Sequence, residues 1–236
     1  MTGEAIILAG GYGTRLKGVI PDGPKAMAPI NGRPFLEYVM DYLDRWGLNH
    51  IVLSVGYQQE KIINHFGTGY KSLAIDYALE DEPLGTGGAI LNALPLIKGF
   101  SSFIFNGDTY FDVNLQRLDD FRRIKEADLC LAIRFEIDPG RFGVLEFDNN
   151  NRITGFNEKS ADIEEGYING GVYILRKDYL LRFGLPRKFS FENDFLQKYH
   201  STEEFYGMRC FSYFRDIGIP EDYNKAVDEF KRLIFY

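Results

Sequence analysis

The chain has little sulfur, little positive charge and no long apolar run. Its 236 residues include two cysteines, three histidines and one tryptophan. Cys130 and Cys210 stand far apart, with neither metal-ligand spacing nor a disulfide framework, which excludes a structural zinc site. Cys130 falls in an apolar run from Leu129 through Ile133, where a buried thiol is expected. His50, His65 and His200 belong to no motif. Lysine and arginine number 27 against 34 Asp and Glu, a net charge of −7. That excludes a nucleic-acid surface but not a nucleotide, which needs only a few placed cations. No stretch reaches the roughly 18 apolar residues that span a bilayer. The start, Met1-Thr2-Gly3-Glu4, lacks the basic residues and apolar run of a signal peptide. The expectation is a soluble, cytoplasmic chain with neither membrane nor nucleic acid as partner. There is no linker-like, repeated or low-complexity segment.

What the chain does have is core. Hydrophobic residues make up 45%, and 20 Phe and 15 Tyr exclude disorder. The length suits one large α/β domain or two small ones. Apolar runs predict strands over 5–9, 51–55, 73–79 and 102–106. Helical spacing predicts helices after Pro34 (35–43), over 58–66 and over 87–94. Near-continuously apolar strands alternating with helices imply parallel pairing covered on both faces. After Asp112 the pattern loosens. It predicts a helix over 115–127 and strands over 129–134, 143–147, 153–157 and 166–175. A turn is expected at 148–151, and helices over 177–182, 191–199 and 221–233. The expected fold is single-domain α/β: a Rossmann-like, mixed but mostly parallel sheet flanked by helices. Residues 1–112 form a nucleotide-binding half, and 113–236 complete the sheet.

The most informative stretch is Leu8-Ala9-Gly10-Gly11-Tyr12-Gly13-Thr14-Arg15-Leu16. Glycines straight after a strand let backbone N–H groups approach a polyphosphate. A Walker loop needs G-x-x-x-x-G-K-[ST], and no Lys-Ser or Lys-Thr follows. A dinucleotide fingerprint needs a glycine where Leu16 stands. The pattern that fits, G-G-x-G-T-R-L, offers Arg15 as a bidentate phosphate clamp suited to a pyrophosphate leaving group. Lys25, stiffened between Pro24 and Pro29, adds a second cation. Asp108 follows the strand at 102–106, where open α/β sheets place their ligand crevice. A carboxylate there can hold Mg²⁺ or can be a cap or turn residue.

With Pro24-Lys25-Ala26-Met27, this loop resembles the sugar-1-phosphate nucleotidyltransferases (NDP-sugar pyrophosphorylases). The resemblance continues in order through Glu80-Asp81-Glu82-Pro83-Leu84-Gly85-Thr86-Gly87-Gly88-Ala89, Asn106-Gly107-Asp108, Phe156-Asn157-Glu158-Lys159, Asn169-Gly170-Gly171-Val172-Tyr173 and Asp216-Ile217-Gly218-Ile219-Pro220-Glu221-Asp222-Tyr223. It covers essentially the whole chain. Asn106-Gly107-Asp108-Thr109-Tyr110-Phe111-Asp112, Arg141-Phe142-Gly143 and Phe189-Ser190-Phe191-Glu192 are most similar to members that use GTP and D-glycero-α-D-manno-heptose 1-phosphate. The resemblance implies a nucleotidyltransferase fold of glycosyltransferase-A type. It also implies transfer of GMP from GTP to the sugar phosphate, giving pyrophosphate and GDP-heptose for surface polysaccharide. The attacking phosphate oxygen is already an anion, so alignment and charge neutralisation replace a general base.

Residue by residue, the resemblance implies catalytic roles for Arg15, Lys25 and Asp108, with Mg²⁺ on Asp108 and Asp216. GTP falls to Leu8, Ala9, Gly10, Gly11, Gly13, Thr14, Glu80, Gly85, Thr86 and Gly88. The sugar phosphate falls to Asn106, Gly143, Glu158, Lys159, Asn169 and Gly170. Glu80 stands where thymidine-using relatives often carry Gln; its carboxylate can accept from the N1–H and N2–H₂ edge of guanine. Tyr12, Tyr110, Phe111 and Phe142 are candidate walls of the sugar pocket, each of them taken singly reading more readily as core or rim, and a homodimer is one assembly that the resemblance allows, beside a tetramer.

Blander readings stand beside these. Asn169-Gly170-Gly171 can be a strand bulge, Gly143 a turn glycine and Glu158-Lys159 a solvated pair. Glu192 and Asp194, two apart on an expected helix, do not share a face for paired acid–base work. Tyr57-x-x-x-Lys61 has a dehydrogenase spacing but comes too soon after the loop. Two competing functions remain open. One is a mannose- or glucose-1-phosphate nucleotidyltransferase using GTP, UTP or TTP. The other is a catalytically silent nucleotide-sugar-binding homologue, against which stands the presence of Arg15, Lys25, Asp108 and Asp216.

Overall fold

Strands whose side chains are apolar at every position must be covered on both faces. The computed structural model, which describes residues 2–16, 18–19, 22–140, 142–157 and 163–232, meets that demand with one ten-stranded mixed sheet between helices. In chain order the first half contains β1 (Glu4–Leu8), β2 (Pro29–Ile30), β3 (Arg33–Pro34), α1 (Phe35–Arg45), β4 (His50–Val55), α2 (Gln59–Phe66), β5 (Gly69–Tyr70), β6 (Leu73–Leu79), α3 (Gly85–Ala93) and β7 (Ser101–Asn106). The second contains β8 (Thr109–Phe111), α4 (Leu115–Ile124), β9 (Leu129–Ile137), β10 (Val144–Phe147), β11 (Ile153–Asn157), β12 (Glu165–Arg176), α5 (Gln197–Tyr199), β13 (Phe205–Cys210), β14 (Phe214–Asp216) and α6 (Pro220–Glu229).

The sheet runs β11-β10-β12-β7-β1-β4-β6-β5, with β9 pairing β12 and β13. Its centre, β7-β1-β4-β6, is parallel. β12 joins β7 antiparallel and carries the sheet into the second half.

The pleat divides each central strand between two cores. Ala5 and Ile7, Ile51 and Leu53, Phe103 and Phe105, and Val172 and Ile174 face α1 and α4. Ile6, Val52, Ile104 and Tyr173 face α3 and the 191–196 turn. Cys130 is fully buried in the first core, and burial pushes its thiol up to about 12.

The expected elements appear with shifted ends, and three depart further. The 177–182 helix is a single 3-10 turn at Leu180–Phe183. The 191–199 helix is a π-helical turn, Phe191–Leu196, followed by the short α5. At the C-terminus α6 ends at Glu229. The 148–151 turn closes the β10–β11 hairpin, with Asp148 accepting from the N–H groups of Asn150 (2.8 Å) and Arg152 (3.0 Å). Six strands carry no readable sequence signal: β2, β3 and β5 are two residues each, β8 and β14 three, and Gly207 interrupts the pattern of β13.

Candidate active site

The C-terminal ends of the parallel strands form one edge of the sheet, and the predicted residues gather there. From β1 the chain enters the glycine loop, anchored by Ala9 N–H on the Ser54 carbonyl (2.8 Å). A side chain on Gly10 would stand 2.7 Å from Glu80 Oε1, so bare backbone lies directly on that carboxylate. Space around Gly11 is open for 4 Å. Buried Leu16 pins the 3-10 turn Thr14–Leu16, which leaves Arg15 exposed on a cavity of about 720 Å³. That cavity is also lined by Asn106, Thr109, Gly143, Asn169, Gly170 and Asp216.

Two very short elements assemble the charged centre. β8 pairs antiparallel with β14 so that Thr109 faces Asp216. The Thr109 hydroxyl lies 3.3 Å from Asp108 Oδ1 and 3.3 Å from Asp216 Oδ2. Gly218 N–H donates to Asp216 Oδ1 (2.6 Å), and Ile217 N–H to the Asp108 carbonyl (2.9 Å). The ammonium of Lys25, on the turn Lys25–Met27, ion-pairs with Asp108 Oδ2. Among the described residues no three His, Cys, Asp or Glu converge on a metal site. Two neighbouring carboxylates suit a hard divalent cation that takes its other ligands from phosphate and water. Asn106 Oδ1 is buried on the cavity wall with no hydrogen-bond partner among the described residues, an arrangement a bound donor would relieve.

A smaller cavity of about 110 Å³, lined by Gly10, Tyr12, Gly56, Tyr57 and Glu80, lies beside the loop. Glu80 accepts there from the Ser54 hydroxyl (2.8 Å) and Leu84 N–H (3.2 Å). Tyr12 packs on Tyr57 with ring centroids 4.8 Å apart. Tyr57 and Lys61 are spent on Asp22, the hydroxyl on its carboxylate (3.0 Å) and the ammonium on its carbonyl (2.5 Å). Tyr57-x-x-x-Lys61 is therefore a clasp on Asp22.

Several expected site residues carry contacts of their own. Gly88 lies against the 187–189 segment: a side chain there would meet the Arg187 carbonyl at 2.2 Å, and its N–H faces the Phe189 carbonyl (3.4 Å). Gly85 is crowded by the same segment: a side chain there would meet the Phe189 carbonyl at 2.5 Å. The Thr86 hydroxyl is also occupied, donating to Glu192 (2.6 Å) and accepting from Phe191 N–H (2.8 Å). These three residues hold α3 to the 187–192 segment, and Thr86 also lines the large cavity. Of the aromatics, Phe142 lines the large cavity with Phe156 and Phe214, whereas Tyr12 belongs to the small one. Tyr110 and Phe111 are core. Glu158 and Lys159 lie outside the described residues, as does the side chain of Thr14.

A family model for nucleotidyl transferases matches residues 4–232. The chain belongs to the nucleotidyl transferase family. This nucleotidyl transferase is 44% identical over 231 residues to the D-glycero-alpha-D-manno-heptose 1-phosphate guanylyltransferase of Aneurinibacillus thermoaerophilus, covering 98% of this chain and 100% of the relative. It is 43% identical over 220 residues to the protein of that name from Campylobacter jejuni, covering 93% and 96%. It matches the crystal structure of HddC from Yersinia pseudotuberculosis complexed with GMP-PN with a TM-score of 0.86 and 39% identity, covering 97% of this chain and 100% of that one.

The residue that sequence reasoning missed in this nucleotidyl transferase is Glu192. It lines the large cavity and accepts from Thr86, from Ser190 (3.2 Å) and from Tyr173 (3.2 Å). Tyr173 in turn accepts from Asn169 Nδ2 (2.7 Å), and Asn169 Oδ1 accepts from Gly171 N–H (3.0 Å). The β12–β9 register breaks between Asn169 and Tyr173. The bulge reading and the ligand reading of this segment are thus compatible, because the break leaves Asn169 on the cavity. Ser190 carries the signal that was available: it caps the turn through Asn193 N–H (3.1 Å) and so sets the position of Glu192.

Proposed function

We propose that this chain transfers GMP from GTP to D-glycero-α-D-manno-heptose 1-phosphate in the cytoplasm, forming GDP-heptose and pyrophosphate. The carrying observation is the pair Asp108 and Asp216 around the Thr109 hydroxyl, beside a cavity that presents Asp216, Arg15 and an Asn106 Oδ1 with no hydrogen-bond partner among the described residues. The relatives named as guanylyltransferases and the GMP-PN complex support GTP as donor. Residues 1–112 take the nucleotide, and 113–236, joined by Asn106, take the sugar phosphate.

In the reaction a sugar phosphate oxygen forms a bond to the α-phosphorus as the bond to the β-phosphate oxygen breaks, and pyrophosphate leaves. Arg15 grips phosphate oxygens, and Lys25 neutralises them. Asn106 Oδ1 and the oriented amide of Asn169 take sugar hydroxyls, joined by Gly143, Gly170, Glu158 and Lys159. Phe142, Phe156 and Phe214 keep water from the sugar. Mg²⁺, held by Asp108 and Asp216, would neutralise charge on the phosphate oxygens. In the small cavity Glu80 reads the guanine edge, beside the backbone of Gly10.

Pyrophosphate release measured with Mg²⁺, the heptose 1-phosphate and each NTP in turn tests the reading. Release with GTP is expected. Release with another NTP alone would refute the base, and release only with a different sugar phosphate would refute the acceptor. Glu80→Gln should lower the GTP-to-TTP ratio of kcat/KM roughly tenfold, the worth of one charged hydrogen bond. An unchanged ratio would remove Glu80 from base reading.

A further inference from the structure

We propose that Lys25 is a place-holder for the divalent cation, so that cation and nucleotide enter the site together. The proposal rests on the reading of Asp108 as a cation ligand. The Lys25 ammonium is in contact with Asp108 Oδ2. The other oxygen of Asp108 faces the Thr109 hydroxyl that is also next to Asp216. A cation arriving alone would meet a like charge on the very carboxylate it must bind, in a half-buried setting where screening is weak.

The backbone of Lys25 belongs to the loop that receives the phosphates. Its N–H faces the Gly11 carbonyl at 3.5 Å, and its Cβ lies 3.2 Å from the place a side chain on Gly13 would begin. Rotation of the lysine side chain alone therefore moves the ammonium from Asp108 towards the loop. A triphosphate on that loop offers the ammonium new anionic partners, and its departure opens Asp108 to the cation. Binding of one then raises the affinity for the other by the same factor, because linkage is reciprocal.

Mn²⁺ binding followed by the loss of the free-ion EPR signal tests this without turnover. Wild type should bind Mn²⁺ weakly alone and more tightly with β,γ-imido-GTP. Lys25→Met should bind Mn²⁺ alone about tenfold more tightly than wild type, within the usual range for coupled sites. Adding Asp108→Asn should cancel that gain, and Lys25→Arg, which keeps the charge, should not show it. Affinity in Lys25→Met equal to or below wild type would overturn the proposal, as would a gain that survives Asp108→Asn. If circular dichroism shows Lys25→Met unfolded, Lys25→Gln is read by the same criteria. Failure of wild type to transfer GMP would refute the proposed function alone. An active wild type whose Lys25→Met variant gains no Mn²⁺ affinity would refute the exchange alone.

Discussion

The hydroxyl of Tyr173 is fully buried, accepts from Asn169 and donates to Glu192. Burial first, and the neighbouring Glu192 second, hold its proton on far above the ordinary tyrosine range. A phenol that keeps its proton fixes the direction of the relay: the amide gives, the carboxylate takes, and Asn169 keeps one orientation. Tyr173→Phe should therefore raise KM for the sugar phosphate roughly tenfold, the equivalent of one net hydrogen bond. KM for GTP should stay within about twofold, since the relay ends at the sugar side. Steady-state kinetics with each substrate varied decides it; equal rises in both KM values would make Tyr173 a purely structural residue. Asp108→Asn acts differently, because it removes charge at the reacting phosphates. It should lower kcat by about 10²–10³, the several kcal/mol that charge stabilisation supplies. Near-normal turnover in the pyrophosphate assay would take Asp108 out of the catalytic centre.

At the scale of elements, glycines of the same motif-rich character do opposite work. Gly11 has open space around it, while Gly88 lies against the backbone of the 187–189 segment. Gly88→Ala should cost about 1–3 kcal/mol by overpacking, and in a chain of this size each kcal/mol lowers Tm by about 2–4 °C. Gly11→Ala should leave Tm within about 1–2 °C, as for an unconstrained surface change, yet raise KM for GTP if phosphate approaches the bare backbone. Thermal melts beside kinetics separate the two; an unchanged KM in Gly11→Ala would deny that approach. The sequence motif shows both glycines but not which neighbour each one serves, because the 187–189 segment arrives from a hundred residues away. Long apolar strands and the Phe35–Arg45 helix were legible because periodicity is local. The β8–β14 ladder was not, since three residues carry no period; Asp216 entered the site by resemblance alone, and its place opposite Thr109 is seen only in the structure. Glu192 was hidden for a related reason. The helix expected there winds as a π-turn, and its partners Thr86 and Tyr173 sit on other elements.

Across the whole molecule the two edges of the sheet divide chemistry from stability. The C-terminal strand ends carry the candidate site, and the N-terminal ends carry a buried carboxylate, Glu4, at the start of β1. Burial alone would raise Glu4. The N–H groups of Lys98 (3.0 Å) and Gly99 and the ring of His50 (2.6 Å) outweigh it and hold the carboxyl below its ordinary 4.5. A carboxylate depressed in the folded state adds stability that is fully present above its unfolded value and is lost as pH falls through the folded one. The window thus lies below about pH 4.5, far from the neutral range in which a phosphate anion attacks. Glu4→Gln should lose about 1–2 kcal/mol at pH 7, the worth of hydrogen bonds to a charged acceptor. That deficit should shrink as pH falls below 4, where the wild-type carboxyl gains its own proton. Urea unfolding of both proteins at pH 7, 5 and 3.5 measures it, with turnover at pH 7 unchanged because the two edges lie at opposite ends of β1. A deficit that stayed constant with pH would mean that shape, not charge, is what Glu4 provides at the base of the sheet.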